Sequence, residues 1–304
     1  MSMRSKVLIQ RLATAAAAAA MLLAAAVQAA GPSDIAGLTL HLEADAGLTL
    51  DGSGNVITWQ DQSAQQHDAS GVPGWFAQVN GASLNGIAVP TFNGSYLLIA
   101  GQPVTSQQFT VFTVAATGQT ASSDGLREVV SNWSFSNTVT SVFLGTVGDS
   151  AQATTRLRLT DDVGGATDPI NLQTGVAMVP NPAAGFVLTG VSGATSAELY
   201  LGQTLAHSAG ALTPRDLSGA WVIGAQGETG GEYWSGQIAA LIIYDRELSA
   251  QERGQVIDYL GQKYLGLPAV PEPASAAMLL AGLVAVAGMA ALARRRAAGA
   301  SQAG

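Results

Sequence analysis

The 304-residue sequence predicts an all-β domain built from two packed antiparallel sheets and closed by one short C-terminal helix. Three observations carry that expectation. From Gly37 to Gly236 the chain is a series of short β-rich segments separated by Gly, Asn, Asp, Ser and Pro. Helical periodicity is almost absent before residue 249. No fixed-period repeat and no long linker divides the region, so one domain over residues 30–268 is expected. Two packed sheets account for this rhythm better than an α/β plan.

The strands follow in order. Gly37–Leu42 alternates and opens the sandwich, and Val56–Trp59 is the next β-rich run. Gly86–Phe92, Tyr96–Ile99, Phe109–Ala116, Glu128–Trp133, Ser141–Thr146 and Thr155–Thr160 continue it. Gly185–Val191, Ala197–Leu201, Ala220–Gly224 and Gln237–Tyr244 complete about a dozen strands, at regular turn spacing. The helix is signalled by Ser249-Ala250-Gln251-Glu252, a capping box in which Ser249 accepts from the Glu252 amide and Glu252 reaches back. Val256, Ile257, Leu260 and Tyr264 then share one face, and Gly266 supplies a stop. This helix is expected to close over the sandwich.

Both ends of the chain read as targeting segments. Arg4, Lys6 and Arg11 precede an apolar core from Leu12 to Val27, and Val27-Gln28-Ala29 offers small residues for cleavage, so residues 1–29 read as a signal peptide. Near the other end, Val270-Pro271-Glu272-Pro273 leads into an almost wholly apolar run, Ala274 to Ala293, and then Arg294-Arg295-Arg296. A twenty-residue helix is about 30 Å long, the thickness of a bilayer's hydrocarbon core. Residues 274–293 are therefore expected to form a transmembrane helix, with the arginines and the tail 297–304 in the cytoplasm and the bulk of the protein outside. The segment 270–296 resembles the PEP-CTERM sorting signal. That resemblance implies recognition by an exosortase-type membrane protease, transient residence in the inner membrane of a Gram-negative-type envelope, and delivery to the cell surface or extracellular matrix. A plain C-terminal membrane anchor is the alternative reading.

Seven Lys and Arg stand against twenty Asp and Glu between residues 31 and 270. An acidic surface of that kind repels phosphate backbones, which excludes a nucleic-acid partner. The chain has no cysteine, so thiol catalysis, thiolate zinc sites, iron–sulfur clusters and disulfides are all ruled out.

A second resemblance rests on the two ends of the domain. Tyr233-Trp234-Ser235-Gly236-Gln237-Ile238, followed by Ile243-Tyr244-Asp245-Arg246-Glu247-Leu248-Ser249 and Glu252, resembles the closing segment of laminin-G-like (concanavalin A-like) jelly rolls. Tyr259-Leu260 and Lys263-Tyr264 are similar to the end of a bacterial subgroup. Leu40, Leu42, Ala44-Asp45, Gly47, Val56, Trp59, Asp61 and Ser63 match its opening, and Thr91-Phe92-Asn93-Gly94 its inner strand. The resemblance implies a jelly-roll sandwich. Residues 100–220 match it only in strand rhythm, and His41 stands where the subgroup carries a large aromatic.

Candidate chemistry is sparse. His41, His67 and His207 are scattered, the first expected in a strand and the others in loops. No His-Glu-x-x-His or Gly-x-Ser-x-Gly motif is present. Glu43-x-Asp45 resembles the start of a glycosidase Glu-x-Asp-x-x-Glu strand, but the third position is Leu48. Asp51, Asn55, Asp61 and Asp68 place short oxygen ligands close in sequence and admit two readings, a Ca2+ site or ordinary turns. Among Trp59, Trp75, Trp133, Trp221 and Trp234, the pair Trp75-Phe76 after Pro73-Gly74 is the best exposed ligand platform, while Trp59 and Trp234 are expected in the core. No residue is assigned a catalytic role. The expectation is a non-catalytic binding or scaffolding module for polysaccharide or a neighbouring surface protein, with a carbohydrate-active enzyme of the same fold (glycoside hydrolase or lyase) as the alternative.

Overall fold

The structure is a computed structural model that describes residues 31–117, 125–132, 141–149, 152–160, 170–178, 182–211, 217–227 and 231–268, together with positions 282, 286, 288 and 289. The signal peptide 1–29, Trp133, the sorting residues Pro271, Glu272, Pro273, Arg294, Arg295 and Arg296, and all but those four positions of the span 274–293 lie outside the described residues. Among the described residues no helix is long and apolar enough to cross a membrane.

In chain order the strands are β1 (Leu38–Glu43), β2 (Leu48–Leu50), β3 (Val56–Trp59), β4 (Ala69–Gly71), β5 (Ser83–Leu84) and β6 (Ile87–Ala88). Then come β7 (Thr91–Asn93), β8 (Leu97–Ile99), β9 (Phe109–Ala116), β10 (Leu126–Ser131), β11 (Ser141–Asp149) and β12 (Gln152–Thr160). β13 (Ile170–Met178), β14 (Phe186–Ser192), β15 (Ser196–Leu201), β16 (Thr204–Gly210), β17 (Val222–Ile223) and β18 (Ser235–Tyr244) follow, and the helix spans Ala250–Leu265.

These form two antiparallel sheets. One runs β1-β18-β9-β14-β15-β16, with β7 also paired to β18; the other runs β13-β12-β11-β10-β17-β8-β4-β3-β2. β5 and β6 make a small separate ribbon. Alternation along each strand sends one row inward. In the nine-stranded sheet that row includes Trp59, Ala69, Ile99, Ile223, Val130 and Leu144, all part of one hydrophobic core. In the seven-stranded sheet, Leu40 and Leu42 face the same core. All eight residues of β9 are buried. One face of a strand cannot account for this, so its other face must be covered too, and the C-terminal helix covers it: Val256, Ile257, Leu260 and Tyr264 join the core.

The helix begins and ends as the sequence predicts. The Ser249 Oγ accepts from the Glu252 amide at 3.3 Å, and Glu252 Oε2 accepts from the Ser249 amide at 2.9 Å. Gly266 closes the helix in the left-handed conformation (φ 63°, ψ 22°), which glycine adopts without steric cost. Arg246 grips the same Glu252 carboxylate with two N–H groups, at 2.6 and 3.1 Å.

Five strands are absent from the sequence expectation. β16 presents mostly exposed side chains and β2 is three residues with two exposed, so neither shows an alternating apolar signal. β4 is Ala-Ser-Gly, a poor strand former that is held by pairing with β3 and β8. β5 has only two residues, and β13 has no comparably simple explanation. The expected strand Gly86–Phe92 is split into β6 and β7, because Pro90 brings no N–H to a ladder. The β17 strand is shorter than the expected Ala220–Gly224.

Ser249→Ala should destabilise the domain by about 1 kcal/mol, the usual cost of losing an N-cap, read as a lower urea midpoint. Arg246 first, and then the Ser249 amide, hold the Glu252 carboxyl at about 2. A depressed carboxylate stabilises the fold above its unfolded value, so this contribution is complete above about pH 4.5 and fades as pH falls toward 2. Glu252→Gln should flatten the stability profile in that window.

Candidate functional site

β1 is an edge strand, and its free edge is plugged by the loop after β3. Asp61 Oδ1 accepts from the His41 and Ser63 amides, both at 2.8 Å, and Asp61 Oδ2 accepts from the Ser63 hydroxyl at 2.6 Å and the His67 amide at 2.9 Å. The Asp61 amide donates to Asp68 Oδ1 at 2.8 Å. Asp61 and Asp68 thus organise a loop that seals an edge. Asp51 and Asn55 lie together in the turn between β2 and β3. Asp51 Oδ1 accepts from the Ser53 and Asn55 amides, and Oδ2 from the Asn55 side chain at 2.7 Å. The Asn55 side-chain bond, and then the backbone bonds, lower the Asp51 carboxyl below the usual range. Among the described residues no group of three or more His, Asp and Glu is placed to hold a metal ion.

The Glu43-x-Asp45 pair meets a lysine. Lys263 Nζ, from the last turn of the helix, lies 2.6 Å from Glu43 Oε2 and 2.9 Å from Asp45 Oδ1. Tyr259 donates to Glu43 Oε2 at 3.1 Å and Tyr264 to Asp45 Oδ1 at 3.2 Å. His41 Nε2 is 3.4 Å from Glu43 Oε1, an ion-pair distance without hydrogen-bond alignment, and both its ring nitrogens are buried without a hydrogen-bond partner. Burial pushes the Glu43 carboxyl up, but His41 and Lys263 outweigh it and leave it lowered. Burial would lower Lys263, yet the two carboxylates and Tyr259 raise it. Burial, then the Glu43 and Asp45 charges, raise the Tyr264 phenol and keep it a donor. Here Glu43 at the end of β1 and Asp45 in the turn after it, rather than two residues of one strand, fasten a helix to a sheet edge.

The outer face of the nine-stranded sheet is different. Register aligns Thr49, Thr58, Ser70, Leu98, Val222, Ser131 and Phe143 in one cross-strand row. Arg158 and Asn171 extend the row by backbone pairing. None of these residues is an acid. Beside the row lies an aromatic group. Trp75 is 46% exposed and stacks on Tyr233, with centroids 5.9 Å apart and planes 6° from parallel. Tyr96 packs against Trp75 at 6.1 Å. The Trp75 amide donates to the Val72 carbonyl at 2.8 Å, so Val72-Pro73-Gly74-Trp75 is a tight turn, with Gly74 at φ 87° where a type II turn requires glycine. The Tyr96 amide donates to the Trp75 carbonyl. Val222, Ala225 and Val72 back Tyr96 and Tyr233 as a small apolar cluster apart from the main core. The indole is therefore presented on a braced loop.

Phe76 is half-buried and lies over Gly71 of β4, where a Cβ would come within 2.7 Å of its ring. The platform pair expected from sequence is thus divided: Trp75 faces out, and its partners are Tyr96 and Tyr233, more than twenty and more than one hundred and fifty residues away along the chain, respectively. Nothing in the linear sequence joins those three. Trp59, Trp221 and Trp234 are fully buried. His41 lies in β1 and His67 in a loop, where its Nδ1 is 2.8 Å from the Ala100 carbonyl. His207 was expected in a loop but occupies the exposed strand β16, paired with Leu199. Glu232, which sequence reading passes over, has φ 51° and a buried carboxylate oxygen without a hydrogen-bond partner.

The fold is that of a two-sheet antiparallel sandwich of the jelly-roll kind. It is similar to the binding domain of Paraclostridial Mosquitocidal Protein 1, with TM-score 0.50 and 14% identity over 73% of this chain and 52% of that one, about half its length. It is also similar to domain 4 of AbnA, a GH43 extracellular arabinanase from Geobacillus stearothermophilus in complex with arabinotriose (TM-score 0.47, 12% identity, 72% of this chain and 98% of that one). A third likeness is to the Trypanosoma rangeli sialidase in complex with sialic acid (TM-score 0.49, 15% identity, 78% and 35%). No curated protein matches the chain in sequence. Residues 269–296 match the PEP-CTERM protein-sorting motif. That motif marks an exported protein sorted by an exosortase.

Lys263→Ala would strip the buried Glu43 of its lysine partner and leave it facing only His41 and Tyr259, and should cost about 3 kcal/mol in chemical denaturation. Replacing Glu43 and Lys263 together by Gln and Met should recover part of that loss. Because the Glu43 carboxyl is lowered, its contribution is present above about pH 4.5 and declines as pH falls through the lowered value. The double variant should lack this decline.

Proposed function

We propose that the folded domain is a non-catalytic binding module of the cell surface or extracellular matrix, and that the exposed Trp75 face takes a sugar ring of a polysaccharide. The observation that carries this reading is the stack itself. A large aromatic, 46% exposed, is held face-on by Tyr233 and Tyr96 on a tight turn beside a row of short polar and aliphatic side chains. A pyranose presents an apolar C–H face and a rim of hydroxyls. An indole offers the matching apolar plane, and Ser and Thr offer both donors and acceptors. Holding the ring in advance lowers the ordering cost of binding.

The acids weigh against hydrolysis as the role of this site. Glycosidases place two carboxylates across the scissile bond. Glu43 and Asp45 are joined to Lys263 under the helix, and the outer row carries no acid. In this proposal export proceeds through a membrane-held stage. Residues 274–293 span the inner membrane with Arg294, Arg295 and Arg296 in the cytoplasm, the exosortase acts near Pro271-Glu272-Pro273, and the domain passes to the surface.

A glycan array and native polysaccharides, probed with residues 31–268 in calcium and in chelator, test the binding. Binding that is lost in Trp75→Ala, with no sugar released, supports the module. Loss in chelator as well would point to Ca2+ held by the loops of Asp51, Asn55, Asp61 and Asp68. Released sugar would establish the enzyme instead, and silence toward every glycan would leave a scaffold for a surface protein. For sorting, replacing Pro271, Glu272 and Pro273 by Ala should leave the full-mass protein in the membrane fraction. Unchanged release of the variant would sink the exosortase step.

A further inference from the structure

We infer that Asn85 is a modification site: conversion of its side-chain amide to a carboxylate releases the end of the C-terminal helix, and the helix end in turn controls the conversion. This inference does not depend on what the Trp75 face binds.

The β5–β6 ribbon turns at Asn85-Gly86, with Leu84 opposite Ile87. φ is 48° at Asn85 and 79° at Gly86, the two left-handed residues that a type I′ turn requires. This turn clasps the end of the helix. Asn85 Nδ2 donates to the Lys263 carbonyl at 2.9 Å and to the Gln262 carbonyl at 3.3 Å. Both carbonyls belong to the last turn of Ala250–Leu265, where no intrahelical amide reaches them. The Gly266 and Leu267 amides go to the Gly261 carbonyl instead. Asn85 Oδ1 lies so close to Gly266 that a Cβ there would come within 3.1 Å of it. Leu84 and Leu265 meet over Gly185, where a Cβ would stand 2.8 Å from Leu265 and 3.3 Å from Leu84.

An asparagine followed by glycine is open to attack by the next backbone nitrogen, because glycine has no Cβ to hinder the approach. The Gly86 nitrogen bonds to Asn85 Cγ, the Cγ–Nδ2 bond breaks, and ammonia leaves with the Gly86 amide proton. Water then opens the cyclic imide to aspartate or isoaspartate, so water enters, ammonia departs and nothing is oxidised or reduced. Asn85 and Gly86 are exposed to that water. The helix opposes the first step, since the side chain must leave both carbonyls before Cγ can meet the nitrogen. The product opposes the helix. A carboxylate only accepts, so it has no donor for the two carbonyls, and it adds negative charge at the negative end of the helix dipole. Lys263, the basic residue of that turn, is already held by Glu43 and Asp45. An opened helix end thus frees Asn85 to react, and the product keeps the end open. The sorting motif begins at residue 269, just after this helix in the chain.

The sequence holds two other Asn-Gly pairs, Asn80-Gly81 and Asn93-Gly94. Asn80 Oδ1 accepts from the Thr91 hydroxyl at 3.1 Å, and the Asn93 amide donates to Ser95 Oγ at 3.1 Å. Those contacts are remote from the helix end, so the two pairs serve as references within the same molecule.

The full-length protein in mild detergent is incubated in mildly alkaline buffer, and mass spectrometry of its peptides follows the replacement of NH2 by OH at the three sites. Gly266→Ala, whose Cβ crowds Asn85 Oδ1, should speed conversion at Asn85 about tenfold, the scale of two lost neutral hydrogen bonds, and leave Asn80 and Asn93 at their wild-type rates. Should Gly266→Ala fail to fold, wild-type protein in urea below its unfolding midpoint takes its place, with the same selective rise at Asn85 expected. Asn85→Asp, the product itself, should lower the melting temperature by about 4 °C and deprotect the last-turn helix amides in hydrogen exchange, while the β9 amides keep their protection. Equal Asn85 rates with and without the loosened helix end, a common rise at all three sites in folded protein, or no conversion at Asn85 would overturn the inference. An Asn85→Asp protein that melts and exchanges as wild type would overturn it as well.

Discussion

The pairing of the first strand with the last is the constraint on which the rest of the domain depends. Leu42 lies opposite Leu241, and His41 opposite Ile242, across some two hundred residues of chain. That pairing places β18 between β1 and β9, and β9 between β18 and β14. Every other strand of that sheet is added to this four-strand centre. Such contacts must overcome a large loop-closure entropy before they return any stability, which makes a fold of this kind slow to assemble. The end of β18 and the segment just after it secure the closure. Tyr244 donates its hydroxyl to the Pro32 carbonyl at 2.7 Å. Asp245 gathers the amides of Thr105 and Ser106 and the Thr105 hydroxyl. Arg246 reaches the Ala36 carbonyl and Glu252. Gly37 has φ 87°, and a Cβ there would meet the Arg246 side chain at 3.0 Å. The start of the domain, the loop before β9 and the helix are thus tied at one knot.

This explains why the charged residues of the two end motifs are structural. Asp61, Asp245, Glu43 and Asp45 each face backbone amides or a cation supplied by a distant segment, and Glu252 faces Arg246 from just beyond the end of β18. A buried charge with one partner removed is far more costly than one never buried, so the two buried acids, Glu43 and Asp61, penalise misdocking of the pieces that answer them. The chain carries no disulfide, and these polar locks act where a covalent staple would otherwise hold edge and helix in place.

The two sheets then differ in what their outer faces meet. The seven-stranded sheet is capped by the helix, with Lys263 on Glu43 at one side and the Arg253 guanidinium 4.0 Å from the Tyr200 ring centroid at the other. The outer row of the nine-stranded sheet includes Leu98, 40% exposed, and the Trp75 stack lies next to it. Covering one face and leaving part of the other exposed keeps the Trp75 stack open to solvent without weakening the core.

The sequence by itself determined the fold class, most strands and both helix ends, because these follow from periods of two and 3.6 residues and from capping groups within four positions of each other. It also determined export, since the sorting segment is contiguous in the chain. Short or exposed strands such as β2, β4 and β16 were not legible, because partners rather than their own residues hold them as strands. Only the tertiary structure decided the use of the acids and the make-up of the aromatic face. Glu43 and Asp45 read as a pair on a strand until Lys263 arrives from two hundred and twenty residues away. Trp75 and Phe76 read as neighbours until the turn sends one out and the other onto Gly71. The physical reason is the same in each case: a side chain's role is set by what stands opposite it, and in a sandwich closed by its first and last strands the opposite residue is rarely near in sequence.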